Sequence, residues 1–310
     1  MSKVVGGAAG GVAIGEAAAP PFARLPDAAI HFRQRAQRFA ILSEGHELRP
    51  YLRFLAGLSE AQHRAQESLP GPIMPDEARL ARAYDFGMPP LDRGHAAGDE
   101  GLAATMDALF ALAPEIEMPD AGRAALRRVT AAGEDEREAM AALLLAGAAP
   151  TEAVAEHVYV AAALQLHFTR LAGGLAADRL KPAGEGACPS CGAPPVASAV
   201  VGWRGAHGTR FATCSLCATQ WHVVRIKCTL CGETAKIGYQ AVDDGAGEGA
   251  EALVRAETCD ACQAYVKILQ QHQNPDLDPV ADDVASLGLD LLMRQTGYRR
   301  GGLNPFLFGY

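Results

Sequence analysis

The chain has 310 residues, of which 49% are hydrophobic and 21% charged, and a formal net charge of −8. This is an ordinary globular composition with room for two or three domains, and its acidic balance argues against nucleic acid as the main partner. No run of 18 apolar residues occurs, which excludes membrane insertion through an apolar helix.

Residues 1–19 read as a flexible Gly/Ala arm rather than a cleaved leader, because they hold one lysine, no leucine or phenylalanine core, and Glu16 in their midst. Residues 20–180 follow helical periodicity and contain no cysteine. From Asp27 to Leu42 the apolar positions Ala29, Phe32, Ala36, Phe39 and Ala40 recur at three- and four-residue steps, with Arg33, Arg35 and Arg38 on the opposite face. A second helix is expected over 46–68 with Pro50 in its first turn, and Pro70, Pro72 and Pro75 break the pattern after it. Further helices fit 76–84, 102–112, 119–130 and 134–147. The clearest covers 152–172, with Thr151 as N-cap and Gly173-Gly174 as its stop. An all-helical bundle is the economical reading.

The character changes over 188–267. Strand-like runs, PVASAVV, RFAT and WHVVRI, alternate with glycine-bearing turns, and DDGAGEGAE (243–251) reads as an exposed loop or hairpin tip. A last helix is expected over 279–296, capped by Asp278, started by Pro279 and ended by Gly297. Asp282 and Asp283 then read as partners of its positive end. The apolar tail NPFLFGY is expected to fold back.

All eight cysteines lie in four Cys-x-x-Cys pairs: Cys188/Cys191, Cys214/Cys217, Cys228/Cys231 and Cys259/Cys262. Two thiolates three residues apart on a tight turn can fill two corners of a tetrahedron, so two pairs close one four-sulfur metal site. A disulfide framework belongs to short secreted chains, and a thioredoxin-like dithiol needs one pair at a helix start in a βαβ unit. Gly192 and Gly232 follow the first and third pairs. That repeat favours consecutive pairing: Cys188, Cys191, Cys214 and Cys217 at site 1, and Cys228, Cys231, Cys259 and Cys262 at site 2. A cross-braced arrangement is the alternative. Each unit of about 40 residues is too small to fold on an apolar core alone, so metal binding supplies the deficit. Tetrahedral sulfur suits zinc and mononuclear iron alike, and spacing does not choose between them.

The remaining chemistry is sparse. Trp221 reads as an aromatic cover for a small metal core. Residues 204–240 carry five basic side chains against Glu233, which makes Arg225 and Lys227 candidates for a partner surface. Over 188–267 basic and acidic residues balance at seven each, unlike a nucleic-acid-binding ribbon. The nine histidines are scattered, and no catalytic triad order, P-loop or dinucleotide fingerprint is present, so no catalytic residue is assigned.

With the knuckles placed, CPSCGAPPVAS, CSLCATQWHVVRIKCTLCGE, ETCDACQAYVKIL, DPVADDVASLGLD, NPFLF and the earlier YLRFLAGLSEAQ together resemble the FdhE family of formate dehydrogenase accessory proteins. The resemblance runs from about residue 20 to the C-terminus. It implies a non-catalytic cytoplasmic factor that binds the catalytic subunit of formate dehydrogenase before export and carries rubredoxin-like iron.

The expected fold is therefore α+β: an arm (1–19), a helical domain (20–180), two rubredoxin-like or zinc-ribbon-like four-cysteine modules (181–224 and 225–267), and a C-terminal helix and tail (268–310). Two metal ions per chain are expected, iron ahead of zinc. The competing functions are a rubredoxin-like electron-transfer or reductase protein and a nucleic-acid-binding zinc ribbon.

Overall fold

A computed structural model describes residues 20–94, 96–242 and 252–308. The expected arm, His95, all of DDGAGEGAE and the last two residues of the tail, Gly309 and Tyr310, lie outside these residues.

Seven helices build the N-terminal body: α1 (Ala28–Ser43), α2 (Arg49–Ser68), α3 (Glu77–Phe86), α4 (Glu100–Leu112), α5 (Asp120–Ala131), α6 (Glu134–Leu145) and α7 (Val154–Gly173). Their placement follows the apolar periodicity closely. Local chemistry sets the ends: Asp27 Oδ1 accepts from Ala29 N (3.1 Å), and Asp99 Oδ1 from Gly101 N (2.7 Å) and Leu102 N (3.2 Å). The expected Thr151 cap does not form. Ala153 N donates instead to Pro150 O (3.1 Å), closing a 3-10 turn over Thr151–Ala153 from which α7 starts.

Helix α7 is buried continuously from Glu156 to Thr169, because α2, α4, α5 and α6 surround it and the sheet region covers what remains. Two buried glutamines tie it to its neighbours. Gln62 of α2 donates to Ala162 O (2.8 Å), and Gln165 of α7 donates to Ser215 O (2.8 Å) in the second knuckle.

The sheet region holds β2 (Pro195–Val200), β3 (Arg210–Cys214), β4 (Gln220–Val223), β5 (Ile237–Gln240), β6 (Val254–Cys259) and β7 (Ala264–Leu269). Each cysteine unit runs knuckle, strand, strand, knuckle, strand, and gives a three-stranded antiparallel ribbon. The ribbons are not separate. They join edge to edge through a parallel contact in which Ser198 pairs with Ile268 and Ala199 with Leu269. Two short strands complete the sheet: β1 (Ala23–Arg24) joins β4, and β8 (Arg299–Arg300) joins β7. The main path runs β1-β4-β3-β2-β7-β6-β5. Beyond β8 the tail passes between ribbons: Gly301 N donates to Tyr265 O (2.8 Å) and Leu303 N to Pro195 O (3.0 Å). A Cβ on Gly302 would lie 2.4 Å from Val196 O, so only glycine fits there.

One expected C-terminal helix is two, α8 (Ala281–Ala285) and α9 (Leu287–Met293). Asp278 Oδ1 caps α8 at Val280 N (2.9 Å) and Ala281 N (2.8 Å). The break has a cause: the Lys267 ammonium donates to Asp283 O (2.8 Å) and Ser286 O (3.1 Å), taking carbonyls that a continuous helix would use. Asp282 and Asp283 are not surface partners of a helix dipole. Asp282 pairs with Arg38 (2.6 Å), while Asp283 is fully buried between Lys267 (3.2 Å) and Arg300. Arg35 likewise leaves the expected polar face of α1 and is buried against Asp278 (3.3 Å). The described part of the tail, 304–308, folds back as expected, with Asn304, Phe306 and Leu307 buried and Tyr51 donating to Phe306 O (2.6 Å).

Candidate metal centres

The four knuckles share one backbone device. The residue after each second cysteine is left-handed: Gly192 at φ 72°, Ala218 at 58°, Gly232 at 80° and Gln263 at 53°. Ala218 and Gln263 are the two non-glycine residues with positive φ among the described residues. This turn closes each loop and aims amide protons inward. Gly192 N donates to Cys188 O (2.8 Å) and Gly232 N to Cys228 O (3.0 Å). Ser190 N donates to Cys188 Sγ (3.4 Å), and Leu216 N and Cys217 N donate to Cys214 Sγ (3.3 and 3.4 Å).

Two clusters result, Cys188/Cys191/Cys214/Cys217 and Cys228/Cys231/Cys259/Cys262, with all sulfurs in each within 4.8 Å of one another. Among the described residues no histidine or carboxylate joins either group. The geometry thus follows consecutive, not cross-braced, pairing.

Closest sulfur separations are 3.5 to 3.6 Å in the first cluster and 3.7 to 3.8 Å in the second. A tetrahedron with metal–sulfur bonds near 2.3 Å has an edge of about 3.8 Å. A disulfide would require about 2.05 Å. The donor sets therefore fit a tetrahedral ion and do not fit cystines.

Electrostatics point the same way. Burial pushes the Cys188 and Cys191 thiols well above the usual range, and Cys228 up to about 12. Against the same burial, hydrogen bonds from the other three sulfurs and Thr219 hold Cys217 low. The four buried thiols of the first cluster cannot all ionise without a cation among them.

The surroundings differ sharply. The first cluster is buried at all four cysteines. Ser190 O accepts from Leu91 N (2.9 Å), Ser215 O accepts from Gln165, and Thr219 Oγ1 lies 3.2 Å from Cys217 Sγ while donating to Ser190 Oγ (2.9 Å). In the second cluster Cys231 is exposed and Cys262 half-buried.

The other sequence candidates are dispersed. Arg225 is exposed in the segment joining the ribbons, flanked by Val224 and Ile226 at 58% and 59% exposure. Lys227 is partly buried and paired with Glu185 (2.6 Å). Trp221 is buried on β4 opposite Ala23 of β1. Arg210, counted with the basic surface in the sequence, is wholly buried. It bonds Ser198 Oγ (3.0 Å) on its own ribbon, and Lys227 O (3.0 Å), Thr229 Oγ1 (2.7 Å) and Glu257 Oε1 (2.7 Å) toward the other. Sequence reasoning missed this strap, since an arginine in a strand with its acid 47 residues away leaves no local signal.

A helical body fused to one sheet that carries two four-cysteine knuckle clusters defines a rubredoxin-like or zinc-ribbon-like protein of α+β class. Family models narrow it further. Those described as FdhE N-terminal, central and C-terminal domains match residues 20–185, 187–225 and 226–307. This chain belongs to the FdhE family. It is 47% identical over 297 residues to the protein FdhE homolog of Rhizobium meliloti, covering 96% of each chain. It is 37% identical to protein FdhE of Escherichia coli K12, covering 89% of this chain and 88% of the relative. The crystal structure of the FdhE protein from Pseudomonas aeruginosa superposes with a TM-score of 0.83 at 34% identity, covering 93% of this chain and 99% of that one. Among the described residues no helix is long and apolar enough to cross a membrane.

Proposed function

We propose that this protein is a non-catalytic accessory factor for formate dehydrogenase, acting in the cytoplasm on the catalytic subunit before export. Each cysteine cluster holds one metal ion, rubredoxin-like iron in preference to zinc. Cys188, Cys191, Cys214 and Cys217 ligate the first, and Cys228, Cys231, Cys259 and Cys262 the second. The observation that carries this reading is two tetrahedral sulfur sites on a chain matched by the FdhE family along nearly its whole length. Support for a holding role comes from the shape of the molecule: a broad helical body (20–180) and two metal-braced ribbons (181–224 and 225–267) knitted into one sheet, with 268–308 bound across them.

Arg225 and Lys227 form part of the partner contact in this reading. Arg225 supplies the cation, with Val224 and Ile226 as exposed apolar neighbours, while Lys227 steadies the segment through Glu185. Neither nucleic acid nor membrane insertion is part of the function.

Tagged protein purified from its host should bring down the formate dehydrogenase catalytic subunit, and Arg225→Glu should weaken that capture. Deleting the gene should abolish formate oxidation. Retained formate oxidation in the deletion strain would refute the accessory role, and undiminished capture by Arg225→Glu would move the contact elsewhere.

A further inference from the structure

We infer that the two metal sites do different jobs: site 2 is the exchange site, where metal enters and leaves through Cys231, and site 1 is a locked structural staple. This rests on the reading that both clusters hold metal.

Site 1 is buried between the sheet and the helical body. Its cysteines are 0% to 2% exposed, and both knuckle serines are buried with their carbonyls bound by the helical body. A depression lined by Met88, Pro89, Leu91 and Arg93 reaches Cys191, yet leaves it 2% exposed. Reaching these sulfurs requires separating the sheet from α7 and from the segment around Leu91.

Site 2 opens outward. Cys231 and Cys262 line a shallow depression of about 460 Å³ together with Glu233, Thr234 and Ala261. Cys231 is exposed, and Cys262 beside it is half-buried. The Glu233 carboxylate stands at the same lip, fixed by Thr234 N and Ala235 N (both 2.8 Å). A cation approaching from solvent thus meets a carboxylate and an accessible sulfur before the two buried ligands, Cys228 and Cys259. The exposed sulfur is also the one that reagents meet first.

The test uses the full-length protein purified without oxygen, with metal content measured first. It is then treated with the chelator 4-(2-pyridylazo)resorcinol and, separately, with iodoacetamide. In the second reaction a sulfur–carbon bond forms, the carbon–iodine bond breaks, iodide leaves and the metal loses one ligand. Two phases of metal release are expected, one equivalent leaving roughly 100-fold faster than the other, because the slow one needs local unfolding. Mass spectrometry should find the first alkylation on Cys231. Cys231→Ser should keep one slow equivalent with its helical circular dichroism intact. One common rate, early alkylation of Cys191, or loss of both metals in Cys231→Ser would overturn the division of roles. Protein without bound metal at the outset would instead overturn the metal reading itself, and the division with it.

Discussion

The two metal centres arise from the same repeated unit, Cys-x-x-Cys, two strands, Cys-x-x-Cys, strand, and reach the same sulfur geometry. What differs is the neighbour. Site 1 is capped by α7 and the segment around Leu91, whereas site 2 lies next to the outer ribbon of the sheet, whose last strand, β5, has no further strand beside it among the described residues. Local sequence builds a knuckle. Position in the tertiary structure decides whether that knuckle is an interior staple or a surface site.

The largest expected effect separates the two directly. Cys188→Ser should destabilise the whole molecule, because site 1 and the helical body share one apolar core that runs from Phe32 and Leu164 through Cys188 to Val196. Structural metal is worth on the order of 10 kcal/mol, so loss of both ribbon and helical circular dichroism is expected. Cys231→Ser should leave the helical signal unchanged. Equal damage from the two variants would break the comparison.

A middle-sized effect tests how the ribbons communicate. Arg210→Ala removes the strap between them and leaves Glu257 buried without its cation, a change that costs about 3–5 kcal/mol. Thermal denaturation should show this loss, and metal release should accelerate at site 2 while site 1 keeps its ion. If site 1 loses metal first, Arg210 serves the inner ribbon instead.

The smallest effect concerns what the sites share. Ala218→Gly and Gln263→Gly should each stabilise by about 1 kcal/mol, since glycine meets no Cβ penalty at positive φ. Denaturant midpoints should rise by similar amounts at both sites. A decrease would show that the side chains contribute packing that outweighs the strain.

Much of this was legible in the sequence. The seven helices followed from apolar periodicity, and the consecutive cysteine grouping from glycine after the first and third pairs. The turns after Cys217 and Cys262 carry Ala and Gln, yet adopt the same conformation, because closing the loop around the sulfurs outweighs their preference. The fusion of two ribbons into one sheet was not legible. Parallel pairing of β2 with β7 joins residues about 70 positions apart, and β1 and β8 are two residues each, too short for any pattern. AYVKIL, buried along its length in β7, did carry an apolar run typical of a central strand, broken by Lys267 alone. The acidic pair Asp282/Asp283 misled, because its partners Arg38, Lys267 and Arg300 come from three other elements.

The buried pairing of Arg35 with Asp278 and of Arg38 with Asp282 also constrains how the protein is made. A ribosome delivers α1 more than 240 residues before the carboxylates that neutralise it, and β8 and the Leu303 contact follow later still. Until then Arg35 and Arg38 lack their carboxylate partners, although Arg35 keeps Gln165 and His31, and the emerging helical body has an uncovered apolar face, a state prone to association. A nascent chain halted at residue 277 should accordingly remain protease-sensitive within α1, and release of the remaining segment should close it in a single late step.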